Sequence, residues 1–127
     1  MSLIKKIKDK KVNFEFNKEY LKVVTSKIAN NDAQFITNSF NEMHPADAAD
    51  IIEHLDQNNR ESLIKLNNFN IDPEVFIELN ESIQSEIITY LSSDSIVSIL
   101  KNLESDDAIK ILENVEEKDK NTILSSL

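Results

Sequence analysis

The 127-residue chain contains no glycine, no cysteine and no tryptophan, and its two prolines are Pro45 and Pro73. Each absence removes a class of chemistry. Phosphate-cradling loops, dinucleotide fingerprints and nucleophile elbows need glycine to bring backbone close to a ligand or to turn with positive φ, so none can be built here. Without cysteine there is no disulfide framework and no thiolate metal site, a composition compatible with a reducing compartment. No apolar run approaches the roughly 18 residues that a membrane span requires. The segment from Met1 to Val12 is too lysine-rich and too poor in apolar residues for a signal peptide, so the chain is expected to be soluble and cytoplasmic.

Charge is divided unevenly. Residues 1–22 hold seven lysines against Asp9, Glu15 and Glu19, a net charge of +4, while the remaining 105 residues carry seven basic and twenty acidic groups, a net −13. An acidic body repels nucleic acid, so no nucleic-acid partner is expected there. The lysine-rich head reads as an N-terminal segment of its own, solvated, disordered or an extra helix, with contact to an anionic membrane surface as the functional alternative.

What is present is a 12-residue echo. The apolar triplet Ile51-Ile52/Leu55 returns as Val75-Phe76/Leu79, Ile87-Ile88/Leu91, Ile99-Leu100/Leu103, Ile111-Leu112/Val115 and Ile123-Leu124/Leu127; Leu63-Ile64 fits as well, with Asn67 the one polar miss. A chain that is 40% apolar would fill about eight of these 21 slots by chance, and 20 are filled, so the period is a repeat. Spacing of n, n+1, n+4 is one face of a helix, and twelve residues leave about eight after a turn, which predicts one short helix per unit. Such helices are unstable alone in water and must bury their stripes on neighbours. The expected fold is therefore all-α, a solenoid-like superhelix of single-helix units; an ordinary bundle of short helices is the alternative, and it leaves the constant spacing unexplained.

Helix ends can be placed as well. Asparagine, the next best residue for a left-handed cap, is expected to end helices at Asn30-Asn31, Asn58-Asn59, Asn67-Asn68, Asn102 and Asn114. His44-Pro45 and Asp72-Pro73 put proline at a first helical position, and Ser93 and Ser105 read as N-caps followed by acids that suit the positive helix end.

The catalytic inventory is thin. His44 and His54 are the only histidines, too few for a zinc site, and they read as a helix-boundary residue and a surface or half-buried residue. No nucleophile, base or cofactor loop is apparent, so no enzyme is expected. Hard oxygen ligands are plentiful: Asp47, Asp50, Glu53 and Asp56 form one cluster, and Asp106, Asp107, Glu113, Glu116 and Glu117 another. These suit magnesium or calcium, or else a solvated face that complements helix dipoles.

Two stretches carry a resemblance. Residues 32–55, Asp-Ala-Gln-Phe-Ile-Thr-Asn-Ser-Phe-Asn-Glu-Met-His-Pro-Ala-Asp-Ala-Ala-Asp-Ile-Ile-Glu-His-Leu, resemble the opening of the cytosolic N-terminal domain of MgtE-type magnesium transporters. Residues 103–112, Leu-Glu-Ser-Asp-Asp-Ala-Ile-Lys-Ile-Leu, resemble that family's Asp-Asp-Ala unit. The likeness covers about residues 20–127 and divides the chain into the head, 1–22, and a superhelical domain, 23–127. It implies a magnesium-sensing regulatory domain on the cytoplasmic side of the membrane. Such a domain precedes a CBS pair and a transmembrane pore in a homodimer, and Mg2+ bridging acidic faces of the N-terminal and CBS domains closes the channel. Position by position, Glu74 and Asp106 match residues that face the regulatory ion, with Asp107 beside them. Lys110 stands where the family tends to have an acid, and an i,i+4 pairing with Asp106 would compete with metal. Short-helix superhelices with a His-Pro start also resemble the middle domain of the flagellar motor switch protein FliG, a scaffold that binds proteins without ions.

Overall fold

The computed structural model describes residues 14–66, 69–113 and 115–126. The lysine cluster of the head, the asparagines at 67, 68 and 114, and the last repeat slot, Leu127, lie outside them. Among the described residues there are nine α-helices and no strand: α1 Phe14–Ala29, α2 Ala33–Glu42, α3 Pro45–His54, α4 Gln57–Ile64, α5 Pro73–Glu78, α6 Glu81–Ile88, α7 Ser93–Lys101, α8 Ser105–Glu113 and α9 Glu117–Ser126. The all-α expectation holds.

The period is written in the helix starts. Helices begin at residues 33, 45, 57, 81, 93, 105 and 117, all twelve apart except where a start at 69 is missing. The structure adds a unit at the front that the apolar pattern hid, Ser39-Phe40/Met43, because its first slot is a serine; all three are buried. The polar miss at Asn67 marks the gap. In place of a helix at 69, Leu66, Phe69 and Ile71 plug the core from a connecting segment, Phe69 meeting Phe40 edge to face at 5.6 Å, and only the six-residue α5 completes the unit.

The third apolar slot does not extend the helix face. It closes the helix. The backbone N–H groups of Met43, Leu55, Leu79, Leu91, Leu103 and Val115 each donate to the carbonyl three residues back, at 3.2–3.3 Å. Where the cap dihedrals are defined, at Met43, Leu55 and Leu79, the chain then turns extended, with ψ of 149–153°. A tightened last turn satisfies an orphan carbonyl, and the apolar side chain at the cap seals the end against the core. No left-handed residue is needed at these ends; among the described residues the expected left-handed asparagine cap is present at Asn31, φ 56°, after α1, and not at Asn102 or Asn58-Asn59. Asn102 is a C-cap with φ −99°, and Asn58-Asn59 lie inside the first turn of α4.

Starts follow the chemistry of capping with a shift of one residue at two places. Asp32, Asp56, Asp72, Asn80 and Ser92 accept backbone N–H bonds as N-caps. Ser92 rather than Ser93 caps α7, and Ser105 is the first residue of α8, since Glu104 already supplies the carbonyl that Ala108 bonds at 3.0 Å. Pro45 and Pro73 open α3 and α5, as expected.

One apolar core joins all nine helices. α1 lays Tyr20, Val24 and Ile28, spaced one turn apart, against it, so the position between residues 22 and 23 falls within a continuous helix. Of the stripe residues, Ile51, Ile52, Leu55, Ile87, Ile88, Ile99, Leu100 and Ile111 are buried, while Leu91, Leu103 and Leu112 are half-buried. Leu124, in the last unit, is exposed. Packing beyond the adjacent helix mostly skips one: α1 meets α3, α3 meets α5, α4 meets α6 and α7 meets α9, while α1 also reaches α4.

Candidate functional site

The carboxylates assigned to metal sit at helix starts. Asp72 caps α5 by accepting the Glu74 N–H at 2.8 Å, which leaves the Glu74 side chain exposed in the first turn. Asp106 and Asp107 occupy the first turn of α8, Asp106 exposed and Asp107 half-buried. Both placements put negative charge at the positive end of a helix. Lys110 follows one turn after Asp106 on the same exposed face. The structure does not gather these groups: among the described residues no three metal-ligating side chains are placed to share an ion. Each helix start therefore offers one or two carboxylates, fewer oxygens than a magnesium ion takes from a complete protein cage.

The other acidic cluster is spent on structure. Asp56 caps α4 through Asn59 N–H at 2.8 Å. The Glu53 carboxylate accepts both the backbone N–H of Asn80, at 2.8 Å, and its side-chain amide, tying α3 to the start of α6. Asp50 faces His54 Nδ1 at 3.7 Å. His44 occupies the N-cap position before Pro45 without a side-chain cap bond, and His54 ends α3 at the surface, the boundary and surface roles expected of them.

Sequence reasoning missed the strongest polar feature. Arg60, the chain's one arginine, reaches from α4 to α6 and donates to both Glu86 carboxylate oxygens at 2.9 Å. It also donates to the Leu55 carbonyl at the end of α3. Tyr90 adds a hydroxyl donor to Glu86 at 2.9 Å. Side-chain exposures of 11% and 19% place the ion pair mostly out of water. The Arg60 hydrogen bonds hold the Glu86 carboxyl below its usual range, and burial pushes the Tyr90 hydroxyl up. A single arginine in an acidic repeat body was the only sequence signal, and nothing in the 12-residue period pairs position 60 with 86. Two further buried polar groups serve the core: Gln84 donates to the Phe76 carbonyl at 3.0 Å, and Tyr20, fully buried beside Ser39, has its hydroxyl pushed up to about 12 by desolvation.

A row of single short helices, most of them sealed by an apolar residue at the C-terminal end and several presenting carboxylates at their starts, is an all-α repeat module whose exposed oxygen donors lie on its rim. The model of the MgtE intracellular N domain matches residues 43–127, about two thirds of the chain. The chain belongs to that family, the intracellular N-terminal domain of MgtE magnesium transporters. The match begins at the C-cap of α2, leaving α1 and α2 ahead of it. No curated protein and no solved structure matches the chain. Among the described residues no helix is long and apolar enough to cross a membrane.

Proposed function

We propose that this chain is the magnesium-sensing module of a transporter of its family, gating transport through an ion-bridged contact with CBS domains of the same transporter. It acts on the cytoplasmic side of the membrane, as part of a homodimer that also holds the pore. The family match over residues 43–127 carries the reading and favours it over a metal-free scaffold resembling FliG. The donor set agrees: exposed Glu74 and Asp106, with half-buried Asp107, supply hard oxygens at the rim, short of a full coordination shell, so the remaining ligands are waters and groups of a facing domain. Empty, two acidic faces repel; bridged by a divalent ion, the closed arrangement becomes the lower in free energy. Lys110, one turn from Asp106, weakens the site at α8 relative to that at α5. The reading assigns no catalytic residue.

The test is protease protection of the full transporter across a magnesium titration, wild type beside Asp106→Asn and Glu74→Gln. Both substitutions should leave the unfolding midpoint of the domain nearly unchanged, since the side chains are exposed, yet raise the magnesium concentration at which the transporter becomes protected. The isolated domain should bind magnesium only weakly. Identical protection midpoints for all three proteins would remove these carboxylates from the sensor and leave helix-dipole stabilisation as their whole role.

A further inference from the structure

We infer that the domain is built as two bodies, α1–α6 and α7–α9, that hinge at the connector around Leu91 and Ser92. Close helix packing falls into two sets: α1 with α2, α3 and α4, α3 with α5 and α4 with α6 on one side, and α7 with α8 and α9 on the other. Between the sets, among the described residues, helix contacts are slighter than any of these. In the skip-one pattern two pairs would span the join, α5 with α7 and α6 with α8; α5 is only six residues long, and neither pair packs closely. The apolar core continues across the join through Ile64, Phe69, Ile71 and Ile99, but two cavities open along it. One, of about 190 Å3, separates Phe69, Asn70 and Ile71 from Ser92, Ser95 and Ser98. The other, of about 230 Å3, lies between Ile88 and Thr89 on one side and Val115 and Asp119 on the other.

Exposed Ser92 and Ser98 and half-buried Ser95 line the first cavity, which opens to solvent. Protein interiors resist motion because they are close-packed, and thinner packing along one plane lowers that resistance there. The connector itself is short: Leu91 N–H makes the last bond of the preceding turn, to the Ile88 carbonyl, and Ser92 already caps α7. Rotation is thus confined to one or two residues. Tyr90, hydrogen-bonded to Glu86, fixes the near end of the connector to the first body. Glu74 on α5 and Asp106 on α8 stand on opposite sides of the join, so the hinge sets their separation; that consequence rests on the sensor reading, whereas the division into two bodies does not.

The absence of native cysteine allows clean spin labelling. Labels at exposed Ala46 in α3 and Asn121 in α9 span the join, and labels at Ala46 and Glu78 in α5 lie within the first body. Measured by pulsed electron paramagnetic resonance without magnesium, the spanning distance distribution should be about twice as broad as the internal one, as hinge motion between otherwise rigid bodies requires. Ser95→Leu, which fills the first cavity, should narrow the spanning distribution, with Ser98→Leu as an independent filling variant. Equal widths for the two label pairs, or a spanning width that neither substitution changes, would overturn the hinge. Because no magnesium is present, this outcome is independent of the sensor titration, and either reading can fail alone.

Discussion

Replacing Arg60 by alanine removes a cation that links α3, α4 and α6. Glu86 then keeps a carboxylate at 19% exposure with only the Tyr90 hydroxyl as partner, and the Leu55 carbonyl at the end of α3 loses its side-chain donor. Breaking a buried pair from one side costs about 3–5 kcal/mol, because the surviving charge stays desolvated. The pair here retains some solvent contact and water can enter the vacated space, so the expected loss is about 2–3 kcal/mol, in line with hydrogen bonds to charged groups. Equilibrium urea unfolding followed by far-ultraviolet circular dichroism measures it. The double variant Arg60→Met, Glu86→Met should regain most of the loss, since two apolar side chains leave no stranded charge. The pH dependence carries a sign as well. Arg60 holds the Glu86 carboxyl below the ordinary 4.5, so the pair's contribution is complete above that value and disappears as pH falls beneath it; the difference between wild type and Arg60→Ala should shrink in acid. A loss under about 0.5 kcal/mol at neutral pH, the range of ordinary surface substitutions, would refute the hub.

Ile99→Ala and Leu100→Ala, both about 4% exposed, should each cost about 2–5 kcal/mol in the same assay, whereas Leu124→Ala, 54% exposed in the same slot of the last unit, should stay within about 0.5 kcal/mol. A loss below about 1 kcal/mol at Ile99 would mean the stripe is not the core. Burial lifts the Tyr20 hydroxyl from 10.0 to about 12, so the stability that its neutral form supports is complete below pH 10.0 and falls as pH rises towards about 12. Tyr20→Phe should flatten that alkaline decline, read as the unfolding midpoint against pH, and an unchanged decline would place the cause elsewhere.

The sequence alone determined the class of fold, the period and the positions of most helix starts. These follow from local chemistry: n, n+1 apolar pairs need a helix to share a face, proline prefers a first turn, and aspartate, asparagine or serine satisfies the free N–H groups that open one. The same locality misled where two local solutions compete. Asparagine can end a helix in the left-handed region, as Asn31 does after α1, but a buried apolar cap ends α3 and α5 instead, and that choice depends on a core waiting to receive Leu55 or Leu79. Glu74 and Asp106 could be placed on exposed helix starts from the sequence, because capping is local. Whether they share an ion with another surface is not written in either helix.

Only the tertiary structure decided which units touch. Skip-one packing, the bond from Arg60 to Glu86 across 26 residues, and the clasp of Glu53 on Asn80 join positions with no common place in the period. The unit after α4 shows the division most plainly: in the sequence it differs by a single polar slot, Asn67, yet residues 69–72 form no helix, Leu66, Phe69 and Ile71 plug the core, and α5 does not pack closely on α7. Pattern reports what each segment buries, because burial is a property of side chains; contact reports against what, because that depends on how far the chain has turned before the segments meet.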